Sequence, residues 1–94
     1  MTYKLEFLTE ALKEWKALDS TTKKQFKKKL TERLENPLIP SAKLSDAKNR
    51  YKIKLRAAGY RLIYEVLDNE IVVVVVAVGK RERNRVYKAA AKRI

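Results

Sequence analysis

The sequence predicts a small α+β domain: a mostly antiparallel sheet with an N-terminal helical hairpin on one face and a C-terminal helix, in the order β-α-α-β-β-β-α. Three observations carry this reading. Two segments with apolar residues at helical spacing follow one short alternating segment. Three alternating or apolar segments, joined by tight turns, fill residues 51–78, and a basic, alanine-containing segment closes the chain. Ninety-four residues make one domain, 1–94, and a hydrophobic fraction of 46% is enough for a small core.

Tyr3, Leu5 and Phe7 alternate with Lys4 and Glu6, the pattern of a half-buried strand. Thr9 is the expected N-cap of a short helix with Leu12, Trp15 and Leu18 on one face. Asp19, Ser20 and Thr21 interrupt the pattern, and Thr22 with Gln25 has the form of a capping box. The second helix aligns Phe26, Leu30 and Leu34 and surrounds them with lysines. Asn36-Pro37 stops it, since proline disfavours helical geometry in the residue before it.

Residues 37–49 form a surface loop. Tyr51, Ile53 and Leu55 then alternate with Lys52, Lys54 and Arg56, so one strand face is wholly cationic. Ala57-Ala58-Gly59 is a turn, and Tyr60, Leu62, Tyr64 and Val66 mark the next strand. Asp68-Asn69 turns the chain into Ile71–Val78, a continuous apolar run that reads as a central strand buried on both faces. After Gly79 a helix is expected from about Arg83 to Arg93.

Composition narrows the chemistry. There is no Cys, hence no disulfide, thiol nucleophile or Cys-ligated zinc, and no His, the commonest general base and metal ligand. An enzyme with this sequence must use Lys, Arg, Tyr or carboxylates. The charge of +12 points to a polyanionic partner, nucleic acid ahead of an anionic membrane. Residues 1–47 carry a net +3 and residues 48–94 a net +9, and no acidic residue falls between Ala47 and Tyr64. The first twenty residues lack the apolar run of a signal peptide, and Ile71–Val78 is too short to span a membrane, so a cytoplasmic protein is expected.

Strand pairing decides whether these cations cluster. With Ala58-Gly59 as a two-residue turn, Arg56 opposes Arg61, Lys54 opposes Ile63 and Lys52 opposes Glu65. Lys52, Lys54, Arg56 and Arg61 then share a face, whereas a three-residue turn would send Arg61 to the other side. The bland alternative pairs Lys52 with Glu65 and leaves the other cations in water.

Three runs carry a resemblance: Tyr51-Lys52-Ile53-Lys54-Leu55-Arg56; Gly59-Tyr60-Arg61-Leu62; and Val78-Gly79-Lys80-Arg81-Glu82-Arg83 with Val86-Tyr87 behind it. Together with Ala11-Leu12-Lys13-Glu14-Trp15 and Pro40-Ser41-Ala42-Lys43-Leu44, they make the whole chain resemble the RelE family, toxins of bacterial type II toxin–antitoxin pairs. The resemblance implies a metal-independent, cofactor-free endoribonuclease that cuts mRNA in the ribosomal A site. Its catalytic set falls on Lys52, Lys54, Arg61, Arg81 and Tyr87. It also implies a RelB-like antitoxin, acidic where it covers these cations, and contact with the 70S ribosome and its 16S rRNA. Operator DNA would be bound only by the toxin–antitoxin complex, and no membrane is involved. Ser45-Asp46 departs from the Arg-Gly common in close relatives, which puts a loop contact with RNA in question.

The chemistry can be stated from the residues. RNA supplies its own nucleophile, the 2′-OH. Lys54 is the expected base, its pKa lowered by Lys52, Arg61 and Arg81, which would also stabilise the phosphorane. Arg81 is expected to stabilise the leaving group, with a general-acid role also open. Tyr87 either stacks on a splayed base or orients the 2′-OH, or else is a helix residue half packed on the sheet. Lys23, Lys24, Lys27, Lys28, Arg56, Arg83 and Arg85 are candidate RNA or ribosome contacts, although a merely solvated helix face looks the same. Two rival functions remain: a non-catalytic nucleic-acid-binding module, and a ParE-like, gyrase-directed toxin of the same fold.

Overall fold

Residues 2–45 and 47–93 are described by a computed structural model. The elements are β1 (Lys4–Phe7), α1 (Thr9–Lys16), α2 (Ser20–Glu35), β2 (Arg50–Leu55), β3 (Tyr60–Leu67), β4 (Val72–Lys80) and α3 (Arg85–Lys92). They follow the β-α-α-β-β-β-α order. The four strands form one sheet, β1-β4-β3-β2, antiparallel except where β1 runs parallel to β4.

The alternation of each strand sorts its side chains between two cores. On one face Ala11, Leu18, Phe26 and Leu30 from the helical hairpin pack on Tyr51, Ile53, Leu62, Tyr64, Val66, Val73 and Val75. On the other, Val86 and Ala90 of α3 cover Ile63, Val76 and Ala77. The second core needs a bulge. The β3–β4 register shifts between Ile63 and Tyr64, so Val76 is the extra residue and points with Ala77 toward α3.

Element boundaries correct several expectations. Thr9 does not cap α1; Leu8 precedes the helix, its N–H donating 3.0 Å to the Val75 carbonyl while its side chain packs on both cores. Asp19, not Thr22, caps α2. Its carboxylate accepts from Thr22 N at 3.3 Å and Thr22 Oγ1 at 2.5 Å, and a negative group at a helix N-terminus also meets the dipole favourably. Hence the apparent interruption at 19–21 is the cap and first turn of α2.

Ile71 lies outside β4 at φ 55°, closing a 3₁₀ turn over Asp68–Glu70, and β4 continues through Gly79 to Lys80. α3 begins at Arg85 rather than Arg83, because Arg83 and Asn84 both adopt positive φ, 52° and 56°. Leu5 of β1 is exposed, since β1 is an edge strand.

Candidate active site

The hairpin between β2 and β3 places the cations. Its loop is Arg56–Gly59, four residues rather than two, with Gly59 at φ 71°. The register is therefore displaced by two: Lys54 opposes Arg61, Lys52 opposes Ile63 and Arg50 opposes Glu65. A shift of two preserves the face. Lys52, Lys54 and Arg61 remain together, and Lys54 gains Arg61 as its direct cross-strand neighbour. Arg56 leaves the strand for the exposed loop, and Glu65 is taken by Arg50 at 2.8 Å rather than by Lys52.

This face belongs to the α3 side of the sheet. α3 covers β4 and β3, leaving Lys52 and Lys54 half-buried on the uncovered edge strand β2. Arg61 is only 7% exposed, and its Nη1 donates to the Tyr60 carbonyl at 2.9 Å. Across the next ladder rung stands Gly79, under α3; a Cβ there would meet Val86 Cβ at an ordinary 3.9 Å. Among the described residues, no carboxylate forms an ion pair with Lys52, Lys54, Arg61 or Arg81. The Lys54 ammonium is held below the usual lysine range, chiefly by repulsion from Lys52, then by desolvation, Arg56 and Arg61. Arg81 does not contribute to that shift, whereas the loop residue Arg56 does.

Arg81 follows β4 directly. Its N–H donates 3.0 Å to the Gly59 carbonyl, which ties its backbone to the hairpin loop at the Lys54–Arg61 end of the sheet. The two residues in left-handed geometry, Arg83 and Asn84, then turn the chain into α3. Tyr87 packs partly on the second core and also lines an open groove of about 760 Å³ with Lys43, Leu44, Arg50, Lys52 and Lys88. The structure thus places Tyr87 as a helix residue half packed on the sheet, with its exposed side toward the groove.

The remaining cations do not all converge. Lys23, Lys24, Lys27 and Lys28 lie on α2, whose apolar side packs on the opposite face of the sheet. Arg83 and Arg85 are exposed at the entry to α3. Asp46 of the Ser45-Asp46 departure lies outside the described residues, while exposed Ser45 lines the rim of the large groove. Two features escape a reading of the sequence. Lys29, with Gln25 one helical turn away, reaches a smaller recess of about 350 Å³ beside Lys54 and Arg56. Arg33 of α2 donates 3.2 Å to the Lys52 carbonyl and 2.9 Å to the Tyr64 hydroxyl. Only their positions along α2, two or three turns from its lysine-rich start, hint at either contact. Among the described residues no three acidic side chains gather as metal ligands, and no helix is long and apolar enough to cross a membrane.

Comparison with known proteins agrees with the fold. The family model describing the ParE toxin of type II toxin–antitoxin systems, parDE, matches residues 5–85. The mRNA interferase toxin RelE of Escherichia coli K12 is 55% identical over 94 residues, covering 100% of this chain and 99% of that protein. A doubly substituted mutant of E. coli toxin RelE in the free state superposes with a TM-score of 0.92 at 53% identity, over 100% of this chain and 99% of that one. RelE in the intact E. coli RelBE toxin–antitoxin complex gives a TM-score of 0.83 at 54% identity, over 86% of this chain and 99% of that one.

Proposed function

The chain belongs to the ParE/RelE family of type II toxin–antitoxin toxins, and from that premise we propose that it is an mRNA interferase cutting messages in the ribosomal A site. The observation that carries the reading is the Lys54–Arg61 pairing within a cation cluster that no carboxylate neutralises by an ion pair among the described residues, where Lys54 is already biased toward its neutral form. Neutral Lys54 Nζ takes the proton of the 2′-OH. The 2′ oxygen attacks the adjacent phosphorus, and the P–O5′ bond breaks. Lys52 and Arg61 offset the extra negative charge of the phosphorane, and Arg81 stabilises the departing 5′ oxygen, which takes up a proton. Tyr87, beside Lys52 in the groove, stacks on a splayed base. The products are a 2′,3′-cyclic phosphate, or its opened form, and a 5′-hydroxyl.

On this reading the work is done in the cytoplasm, and Lys23, Lys24, Lys27, Lys28, Arg56, Arg83 and Arg85 make salt-sensitive contacts with ribosomal RNA. The inhibitor is a RelB-like antitoxin that brings acidic groups to the cation face, the pair together binding operator DNA. The name of the matching family model keeps one other reading open, a ParE-like toxin that does not cut RNA. In vitro translation with cut-site mapping decides between them. Cutting within ribosome-bound message, lost in a folded Lys54→Ala variant and leaving cyclic-phosphate ends, is the expected result. A 5′-phosphate end, or undiminished cutting by Lys54→Ala, would sink the mechanism.

A further inference from the structure

We propose that Arg50 is a positioning residue of this site, fixing Tyr87 relative to Lys52 in the groove they both line by tying the C-terminal end of α3 to β2; the proposal rests on the ribonuclease reading above. Arg50 lies two residues before Lys52 and so on the same sheet face. Its side chain is only 11% exposed, and its fork reaches three acceptors, one on β3 and two at the end of α3. Nε donates to Glu65 Oε1 on β3 at 2.8 Å, Nη1 to the Ala90 carbonyl at 2.6 Å, and Nη2 to the Arg93 carbonyl at 2.6 Å. Ala90 sits in the last turn of α3, where its carbonyl also takes the Arg93 N–H at 3.1 Å, and Arg93 is the C-cap beyond it; carbonyls there have lone pairs to spare and the dipole is negative. A guanidinium meets both needs.

α3 needs such help. It has eight residues and buries only Val86 and Ala90, whereas isolated helices shorter than about 12 residues are marginal in water. Arg93 secures its other side, with Nη1 bonding Glu14 of α1 at 2.7 Å and the Val76 carbonyl at 2.9 Å. That second clamp ties α3 to α1 and β4. Among the described residues, Arg50 alone hydrogen-bonds it to the strand that carries the lysines. Tyr87 precedes Ala90 by three residues, so it shares a helix face with the gripped carbonyl, and it lines the groove together with Arg50 and Lys52. The separation of Tyr87 from Lys52 therefore depends on Arg50. A lysine could not substitute, because one compact ammonium does not reproduce the planar fork that meets a carboxylate on β3 and two carbonyls at the end of α3.

The test pairs amide hydrogen exchange with single-turnover cutting of ribosome-bound mRNA, using wild type, Arg50→Ala, Arg50→Lys, Tyr87→Ala and the Arg50→Ala/Tyr87→Ala double variant. Arg50→Ala is expected to speed exchange in α3 by about tenfold or more, as loss of charge-assisted bonds implies, while protection in β3 and β4 persists. Its cutting should fall by about 10- to 100-fold, as for small misplacements of a reacting group. Arg50→Lys should recover little. In the Tyr87→Ala background Arg50→Ala should cost nothing further, because it acts through Tyr87. Unchanged α3 exchange, or additive losses in the double variant, would overturn the proposal. Should Arg50→Ala not fold, Arg50→Lys provides the same exchange and coupling measurements. If wild type cuts no message, the ribonuclease reading fails, and the α3 exchange contrast alone then decides whether Arg50 clamps the helix.

Discussion

Lys54 stands directly opposite Arg61 across the β2–β3 ladder, two cations on one sheet face with no carboxylate paired to either among the described residues. Like charges directly opposed in a sheet are destabilising, and a largely desolvated guanidinium adds to that. The fold therefore carries this pair at a loss of stability, the kind of trade expected at a working site.

Replacing Arg61 by Met keeps the buried stem and removes the charge. Thermal denaturation of Arg61→Met should show a midpoint about 1–5 °C higher, the shift a few tenths of a kcal/mol or more produces in a domain of this size. Cutting should fall by about 10²–10³-fold, as when one donor to a transition-state oxyanion is lost. A variant that is both less stable and fully active would show that Arg61 serves packing rather than chemistry.

The depressed Lys54 predicts a pH profile. Only neutral Lys54 accepts the 2′-OH proton, so the cutting rate should rise with pH and level off at the folded pKa, below the ordinary lysine value. Lys52 is the largest cause of the depression. Lys52→Ala should therefore move the inflection to higher pH, beyond any uniform loss from weaker phosphorane binding. The stability linkage has a definite sign: the unfolded chain holds the Lys54 proton more tightly, so folding gains as pH rises through the depressed value. A Lys52→Ala profile that is lower everywhere but not displaced would remove crowding as the activator.

Legibility tracks the range of the interaction. The cationic face is readable because alternation is local. Expecting two turn residues where Arg56–Gly59 supplies four does no harm, because a slip of two residues returns every side chain to its face. The α2 cap is displaced by three residues from its expected place because Asp19 and Thr22 both belong to capping residue types, and sequence does not show which one reaches an orphan N–H. The start of α3 differs because Arg83 and Asn84 take left-handed geometry without glycine, imposed by the turn off β4. The Arg50–Glu65–α3 clamp is invisible for another reason. Its partners lie 15, 40 and 43 positions away, and charges so far apart in sequence look merely solvated until the sheet brings them together.

Tyr64 predicts how α2 and the sheet hold together. Its hydroxyl is fully buried, donates 2.8 Å to the Pro37 carbonyl and accepts from Arg33 Nη1 at 2.9 Å, with the Arg33 guanidinium 5.7 Å from the ring centre. Tyr64→Phe removes two buried hydrogen bonds, leaving the Pro37 carbonyl with the Ile39 N–H and Arg33 with the Lys52 carbonyl, and should destabilise the fold by about 1–3 kcal/mol in urea titration. Burial raises the Tyr64 pKa, with Arg33 pulling the other way. The neutral phenol is thus favoured on folding. Its contribution is complete below the ordinary tyrosine value and is lost as pH rises through the raised one. Alkaline unfolding curves should accordingly be shallower for Tyr64→Phe than for wild type, and equal slopes would count against this linkage.

The two glycines flanking the cation cluster should respond oppositely to alanine. Gly59 sits at φ 71° with nothing within 4 Å of where a Cβ would stand, so Gly59→Ala meets no clash and only backbone strain, about 1–2 kcal/mol. Gly79 has no positive φ, and a Cβ there meets only Val86 Cβ, at an ordinary 3.9 Å. Gly79→Ala should be neutral or stabilising by up to about 1 kcal/mol, through a less flexible unfolded chain. Because the Gly59 carbonyl also accepts the Arg81 N–H at 3.0 Å, strain at Gly59 is felt where Arg81 leaves the sheet. Gly59→Ala should then lower cutting along with stability, while Gly79→Ala leaves the Lys54–Arg61 pairing intact. Equal stability losses for the two variants would mean that the hairpin loop does not depend on the left-handed residue that sets its four-residue length.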